Sequence, residues 1–284
     1  MDTLALLREG ELTVDGRLTV ASNLTLVGEV ALGDERLRCV YKPIAGESPL
    51  WDFSDGSLAG REVAAYELSV AAGWDVVPPT VLRADGPMGS GMCQAWIDQP
   101  DEVRAWVDVV GLDDVPDGWL PILEAIDGDG APVVLVHADD PLLRRLALFD
   151  VVVNNADRKG GHVLTQVSSA AGIVGGVGDA GDPGDAGGPA GVVGVVGVDH
   201  GVSFHTDPKL RTVLWGWAGD ELNAGELDRL DALRSTLGGA LGERLGELIS
   251  ADEVEATARR VDDLTTSGRL PVPTGRMPVP WPLF

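Results

Sequence analysis

The run 149-FDVVVNNADRKGGHVL-164 constrains this chain more than any other stretch. It opens inside an apolar segment, 141-PLLRRLALFDVVVNNA-156, whose start is marked as a helix by Asp140 and Pro141. An aspartate side chain satisfies free amides at a helix start, and proline fits the first turn. The apolar character then stops. Asn154 and Asn155 lead into Asp157, Arg158, Lys159, two glycines and His162, before the chain turns apolar again at Val163. Holding that much charge between two segments that favour burial is costly, which makes the turn the first candidate for function. A second stretch, 196-VGVDHGVSFH-205, raises the same question about Asp199.

The rest of the chain supplies a frame for these two stretches. Segments 11–32 and 37–43 alternate apolar and polar residues and are broken by turn signals at Asp15-Gly16, Ser22-Asn23 and Gly33-Asp34, so they predict strands. A helix is expected over 57–73, capped by Ser57 and stopped near Gly73. Residues 76–98 predict two strands joined by a glycine-rich turn. The second half is expected to be mainly helical. Residues 101–125 are acidic and poorly periodic, short strands are expected at 162–167 and 192–199, and two or three amphipathic helices over 219–265. Between the short strands lies a Gly/Ala/Asp stretch, 169–191, that lacks the apolar residues of a core and predicts a disordered insertion. The last stretch, 269–284, is proline-rich and extended.

A formal net charge of −24 repels nucleic-acid backbones and anionic lipid head groups, so neither nucleic acid nor a membrane is expected as a partner. No run of about 18 apolar residues marks a transmembrane helix, and the N-terminus lacks the features of a signal peptide. Cys39 and Cys93 sit in apolar surroundings, which suits buried thiols in a reducing compartment and a cytoplasmic location. Lysine occurs only at positions 42, 159 and 209, and two of these fall in or near the chemistry-bearing stretches.

Taken in order, the parts are a strand ending in Lys42, a helix carrying Glu62, and a strand pair ending at Gln94, Ala95 and Trp96. A helix then runs into the Asp157-Arg158 turn, and a hairpin ends in Asp199-His200-Gly201. This is the order of parts in a protein-kinase-like fold. A strand lysine neutralises nucleotide phosphates as a compact charge, and a helix glutamate holds it in place. A carboxylate such as Asp199 suits a magnesium ion, and a second one, Asp157, can accept the proton of an attacking hydroxyl.

The run 149–164 resembles the catalytic loop of phosphatidylinositol 3-/4-kinases, especially the type II 4-kinases. There an apolar helix ends in Phe-Asp, then Asn-x-Asp-Arg, with an asparagine five residues after the Asp. The run 198-VDHGVSF-204 resembles their metal motif. Residues 40-VYKP-43, 61-REVAAYELSVAAGWDVVPPT-80 and 94-QAWID-98 are similar to their lysine strand, glutamate helix and hinge. The likeness spans about residues 17–204. It is closest overall to a bacterial kinase-like family that shares the Tyr-Lys-Pro and Pro-Leu-Trp-Asp-Phe sequences found here at 41–43 and 49–53.

The resemblance implies an α+β, bilobal kinase-like fold, with residues 1–97 forming a sheet-and-helix N-lobe and 98–284 a mainly helical C-lobe. It implies ATP as substrate, Mg²⁺ or Mn²⁺ as the metal, and an acceptor that is a protein hydroxyl or a soluble small molecule. Lys42 would bind phosphate and Glu62 would clamp it. Gln94, Ala95 and Trp96 would meet the adenine, mostly through backbone groups, and the Ser22-Asn23 turn would cover the phosphates. Asp157 would be the catalytic acid/base with Arg158 as its support. Asp199 and His162 would be metal ligands. The departure is His162, which stands where the family has asparagine; an imidazole favours transition metals over magnesium. That exchange supports one alternative, a pseudokinase or nucleotide-binding scaffold without transfer; a third reading keeps the fold and makes the chain an AMP transferase.

Each residue has a plainer reading when taken singly. Asp157-Arg158 can be a helix stop with a surface ion pair, Lys42 a solvated strand lysine, and Glu62 a residue that balances the first turn of its helix. His162, His200, His205 and Asp199 can be read as a zinc cluster, which no close ligand spacing supports. His137 is expected on the surface. It is the order of all the parts together that favours the kinase-like reading.

Overall fold

The computed structural model describes residues 2–19, 23–50, 52–53, 57–99, 105–167, 192–275 and 277–284. Ser22, Trp51 and the glycine-rich stretch 169–191 lie outside the described residues. The chain starts with a short helix, α1 (Thr3–Glu9), and then forms β1 (Glu11–Arg17), β2 (Leu26–Leu32) and β3 (Glu35–Pro43). Helix α2 (Leu58–Ala71) follows, then β4 (Thr80–Arg83) and β5 (Gly91–Ala95). The five strands make one antiparallel sheet in the order β1-β2-β3-β5-β4.

Alternation along β3 sorts its side chains. Cys39 and Tyr41 are fully buried, and Cys39 packs with Cys93, Val30 and Val81 under Leu6 and Leu7 of α1. Val40 and Lys42 therefore point to the opposite face, toward the rest of the molecule. Cys39 and Cys93 are both free thiols. Gly33 supplies the turn between β2 and β3 at φ 62°, a conformation that favours glycine. The Asp15-Gly16 pair does not break a strand as expected. It lies inside β1, where the register slips between Val14 and Gly16, so the turn signal is used for a bulge.

Helix α2 is capped by the Ser57 hydroxyl, which accepts from Gly60 N at 2.9 Å. Its sequence is apolar nearly all round, and ten of its residues are buried, Arg61 and Glu62 among them. A helix of that kind belongs inside a protein. Burying its two charges requires partners, and Arg61 finds Glu253 at 2.6 Å.

The expectation of a mainly helical second half needs correction. Residues 107–138 form a three-stranded antiparallel sheet of β6 (Val107–Gly111), β7 (Trp119–Ile126) and β8 (Pro132–Ala138), in the order β6-β8-β7. Much of β7 is exposed, so its apolar pattern is weak. The signal was the hairpin turn 127-DGDG-130, where Asp127 Oδ1 accepts from Asp129 N and Ala131 N at 2.9 and 2.8 Å. His137 is also corrected. It is fully buried, with Nδ1 at 2.8 Å from Ala138 O and Nε2 accepting from Gly216 N at 2.9 Å.

Helix α3 (Pro141–Val153) is capped by Asp140, whose carboxylate accepts from Leu142 N at 2.8 Å. It stops at Asn154, which adopts a left-handed conformation at φ 53°. Phe149, Val152 and Leu146 put α3 in the main core, together with α2 and the later helices α4 (Ala224–Leu237), α5 (Ala240–Leu245) and α6 (Ala251–Ser267). Between them β9 (Val163–Val167) pairs antiparallel with β10 (Val192–Gly197). The proline-rich tail carries no helix or strand among its described residues. It returns to the Asp157-Arg158 turn, where Gly160 N donates to Leu283 O at 2.8 Å. Among the described residues no helix is long and apolar enough to cross a membrane.

Candidate active site

Strand β3, helix α2 and the end of the β9–β10 hairpin deliver three charges to one point. Lys42 Nζ lies 2.7 Å from Glu62 Oε1 and 2.7 Å from Asp199 Oδ1. The chain leaves β10 at Gly197, and Asp199 takes φ 62°, a backbone strain that turns its carboxylate toward the lysine. The second oxygen of Glu62 accepts from His200 N at 2.9 Å. Glu62 is thus fixed from both sides, while Asp199 keeps one edge open, its side chain 49% exposed.

The electrostatics follow from this placement. The Lys42 ammonium holds the Asp199 carboxyl well below the usual carboxylate range, against the opposing effect of burial. Burial works against the lysine charge too, but Asp199 and Glu62 together raise Lys42 above its ordinary value. For Glu62 burial outweighs Lys42, and its carboxyl is pushed up.

A second cluster stands behind the turn. Arg158 is fully buried, with Nε at 2.8 Å from Asp150 Oδ2 and Nη2 at 2.9 Å from Asp150 Oδ1, a bidentate pair. The same guanidinium donates to Val198 O at 2.8 Å, and its Nη2 is 2.7 Å from His200 Nε2. Burial, then the Arg158 charge, keeps the His200 imidazole neutral. Asn155 links the two parts, since its amide donates to Asp150 Oδ1 at 3.1 Å and its carbonyl accepts from Asp157 N at 2.9 Å. Arg158 therefore ties the Asp157-Arg158 turn to the backbone that leads into Asp199.

Asp157 faces the cleft with Lys159 Nζ 3.1 Å from its Oδ2. Burial raises its carboxyl, and Lys159 opposes the rise. His162 Nε2 lies 3.6 Å from Asp199 Oδ2, while its Nδ1 is buried with no hydrogen-bond partner. Burial, with the Arg158, Lys159 and Lys42 charges adding, lowers His162 to about 4 against the pull of Asp199. The ring is neutral at pH 7, so one nitrogen keeps a lone pair. Among the described residues no group of three or more His, Cys, Asp or Glu side chains forms a metal cage. One carboxylate and one imidazole do fit a cation that takes its remaining ligands from phosphate and water, and that donor set suits manganese better than magnesium.

These residues border a cavity of about 280 Å³, lined by Asn23, Lys42, Glu47, Glu62, Asp157 and Asp199 among others. Asn23 is held on its wall by Ser48 N, which donates to its side-chain oxygen at 2.8 Å. Gln94, Ala95 and Trp96 lie apart from the charged cluster. The Gln94 amide donates to Thr80 Oγ1 at 2.8 Å, Ala95 N to Pro79 O at 2.9 Å and Trp96 N to Arg38 O at 3.0 Å. The Trp96 ring sits under the Arg38 guanidinium, 4.9 Å away.

Three residues at this site carry no assignment from the sequence. Asp150 could have been found as a lone acid inside an apolar helix, which calls for a buried cation. Lys159 was visible as one of three lysines. Glu47 gave no signal: its carboxylate accepts from Leu58 N at 3.0 Å and Ala59 N at 2.8 Å, and so caps α2 from a distant loop.

The five-stranded sheet with a helix after its third strand, facing a helical part through the Lys42–Asp199 contact, defines an atypical kinase-like fold. Two solved structures share it. The Golgi casein kinase is 14% identical with a TM-score of 0.52, over 93% of this chain and 72% of that one. The Golgi casein kinase with Mn/ADP bound gives 14% identity and a TM-score of 0.52, over 93% and 74%. At that identity the likeness is one of fold. The chain belongs to the same family as Protein Rv2133c of Mycobacterium tuberculosis, to which it is 46% identical over 291 residues, covering 100% of this chain and 96% of that protein. No family model matches the chain.

Proposed function

We propose that the chain is an ATP-dependent phosphotransferase of the phosphatidylinositol 3-/4-kinase-like type. It divides into a nucleotide-phosphate-binding lobe over 1–97 and a catalytic lobe over 98–284, and acts in the reducing cytoplasm on a hydroxyl of a soluble acceptor. The observation that carries this reading is Lys42 Nζ held between Glu62 and Asp199, 2.7 Å from each. An ammonium fixed in that way is poised for phosphate oxygens, and the open edge of Asp199 beside His162 is where Mg²⁺ or Mn²⁺ would be held. Bound there, the cation supplies charge neutralisation to the phosphates. The Golgi casein kinase structure with Mn/ADP supports trying manganese first.

Asp157 accepts the proton of the acceptor hydroxyl, and Lys159 keeps its carboxylate oriented. Arg158 acts through Asp150 and the Val198 carbonyl as a positioning residue. The adenine lies toward Gln94, Trp96 and the backbone of Ala95, on the sheet face that also carries Val40 and Lys42. Incubation with ATP labelled in the γ-phosphate and Mn²⁺ or Mg²⁺ tests the whole. Nucleotide should raise the melting temperature of the wild type, and Asp199→Ala should abolish that rise. Asp157→Asn should keep binding and lose transfer by about 10²–10⁴-fold. Wild type that binds no nucleotide, or Asp199→Ala that turns over as fast as wild type, overturns the proposal.

One observation favours a second reading, a nucleotide-binding protein without transfer. His162 stands at the second metal position with a buried, unpartnered Nδ1, where an amide oxygen would serve magnesium better. Under that reading His162→Asn gains Mg²⁺-dependent turnover that the wild type lacks. Under the first, the wild type already turns over with Mn²⁺.

A further inference from the structure

A larger groove opens beside the catalytic cavity. Its volume is about 750 Å³, and its floor and walls include Leu210, Trp215, Leu264, Leu270 and Pro271, between α3, α6 and the returning tail. That is the size of a small-molecule site, and its apolar lining is typical of one. Arg211 lines both this groove and the cavity that holds Asp157, so the two spaces meet at one side chain.

For a chain of net charge −24 the charges in the groove are unexpected, since four cations line it against one acid, Asp263. Two of its cations are neutralised: Lys209 by Asp52 at 2.6 Å, and Arg269 by Glu221. The other two, Arg211 and Arg260, have no carboxylate partner among the described residues. Arg211 is exposed, and its backbone is pinned, with its amide donating to Asn155 O at 2.9 Å and its carbonyl accepting from Arg158 N at 3.0 Å. Arg260 is half-buried, and its guanidinium reaches only neutral acceptors: Val152 O at 2.8 Å, His205 O at 3.2 Å and Thr257 Oγ1 at 2.8 Å. Burial, then the neighbouring Arg259 charge, lowers Arg260 to about 10, as befits a cation short of counter-charge. In a protein with 45 acidic residues, leaving two arginines of one groove without a carboxylate partner among the described residues reserves their charge for something else.

We propose that this groove is the acceptor subsite, and that the acceptor is a hydroxyl-bearing small organic anion, a phosphate ester or carboxylate with an apolar body. Its anionic group lies against Arg211 and Arg260, its body on Leu210, Trp215 and Leu270, and its hydroxyl points past Arg211 to Asp157. The inference rests on the phosphotransferase reading. In the step it implies, the acceptor oxygen bonds to the γ-phosphorus of ATP as the bond from that phosphorus to the bridging oxygen of ADP breaks, and the hydroxyl proton passes to Asp157. An acidic protein acceptor fits less well, because the surrounding net charge repels it and the groove has the volume of a small ligand.

Phenyl phosphate is a suitable probe, with benzyl alcohol as its uncharged counterpart, and Trp215 in the groove wall provides a fluorescence signal. The full-length chain should bind phenyl phosphate saturably and benzyl alcohol far more weakly. Arg211→Gln should weaken phenyl phosphate by at least about tenfold, the loss of one charged contact. Its melting temperature without ligand should match wild type, which shows that the fold is kept. Arg260→Lys, which keeps the charge but not the fork, guards against a variant that merely fails to fold, and should weaken the probe as well. Equal affinity in wild type and Arg211→Gln, or displacement of phenyl phosphate by a non-hydrolysable ATP analogue in direct competition, overturns the proposal. So does co-sedimentation with phosphatidylinositol vesicles without any response to phenyl phosphate, which would move the anion to a lipid headgroup. Nucleotide binding without phenyl phosphate binding sinks this inference alone. Phenyl phosphate binding that depends on Arg211, in a chain that binds no nucleotide, sinks the phosphotransferase reading and the acceptor role with it.

Discussion

Two ion clusters, joined through His200, are built in opposite ways. Around Arg158 and Asp150 both side chains are fully buried and bonded to each other through two contacts. Around Lys42 the pairing is shared between Glu62, which is buried, and Asp199, whose side chain is half-exposed. The closed cluster has no oxygen left to offer a ligand. The open cluster keeps one, on the side that faces His162. A buried ion pair of the first kind gives no assured stability of its own, but losing one partner strands the other charge in the core. The first cluster is suited to fixing backbone and the second to exchanging partners, which is why the proposed chemistry is placed at the second.

Breaking each cluster tests the contrast. Asp150→Ala should cost the most, about 3–5 kcal/mol, because the Arg158 charge is left buried and unpaired. Chemical unfolding measures it, and a loss below about 1 kcal/mol would show that the closed cluster is not closed. An acid titration of stability probes a third buried group, His137. Burial holds its folded-state pKa below the unfolded value of 6.5, so the unfolded chain takes up the proton first. Stability from this group is therefore flat above about pH 6.5 and falls as the pH drops toward the lowered folded value. Protonation of Nε2 would also eject the Gly216 amide. Unfolding curves at pH 7 and pH 5 should differ less in His137→Gln than in wild type. Asp199→Ala should change stability by only about 0–1 kcal/mol, since the carboxylate is half in water and Glu62 still holds the lysine. Asp199→Ala that unfolds as readily as Asp150→Ala would erase the distinction. A similarly small effect is expected from Lys209→Ala, whose bond to Asp52 ties the loop before α2 to the helical part at 2.6 Å. A partly exposed pair of this kind is worth about 0.2–1 kcal/mol, and thermal unfolding should barely move.

Much of the frame around these clusters could be read from the sequence because its signals are local. Alternation gave β2 and β3, Ser57 and Asp140 announced the starts of α2 and α3, and the glycines marked the turns. The spacing of Lys42, Glu62, Asp157 and Asp199 along the chain matched a known order of parts. What could not be read depends on contacts distant in sequence. Nothing near Glu47 indicates that its carboxylate will cap a helix eleven residues on. Nothing near Arg211 or Arg260 says that neither will meet an acid. The β6–β8 sheet escaped because β7 is largely exposed, and an exposed strand need not alternate. His137 was misjudged for a related reason. An imidazole among valines gives no sign of its partner, and Gly216 is 79 residues away.

The fastening of α2 has a further consequence. Its first turn is held by Ser57 and by the Glu47 carboxylate, and its flank by the buried Arg61–Glu253 bond to α6. A helix tied to its surroundings at two points leaves little play for a swing that would part Glu62 from Lys42. The pair is therefore a standing part of the fold and not a latch. A cell that needed to restrain such a site would do so through how much protein it makes and how much ligand it supplies, rather than by moving this helix.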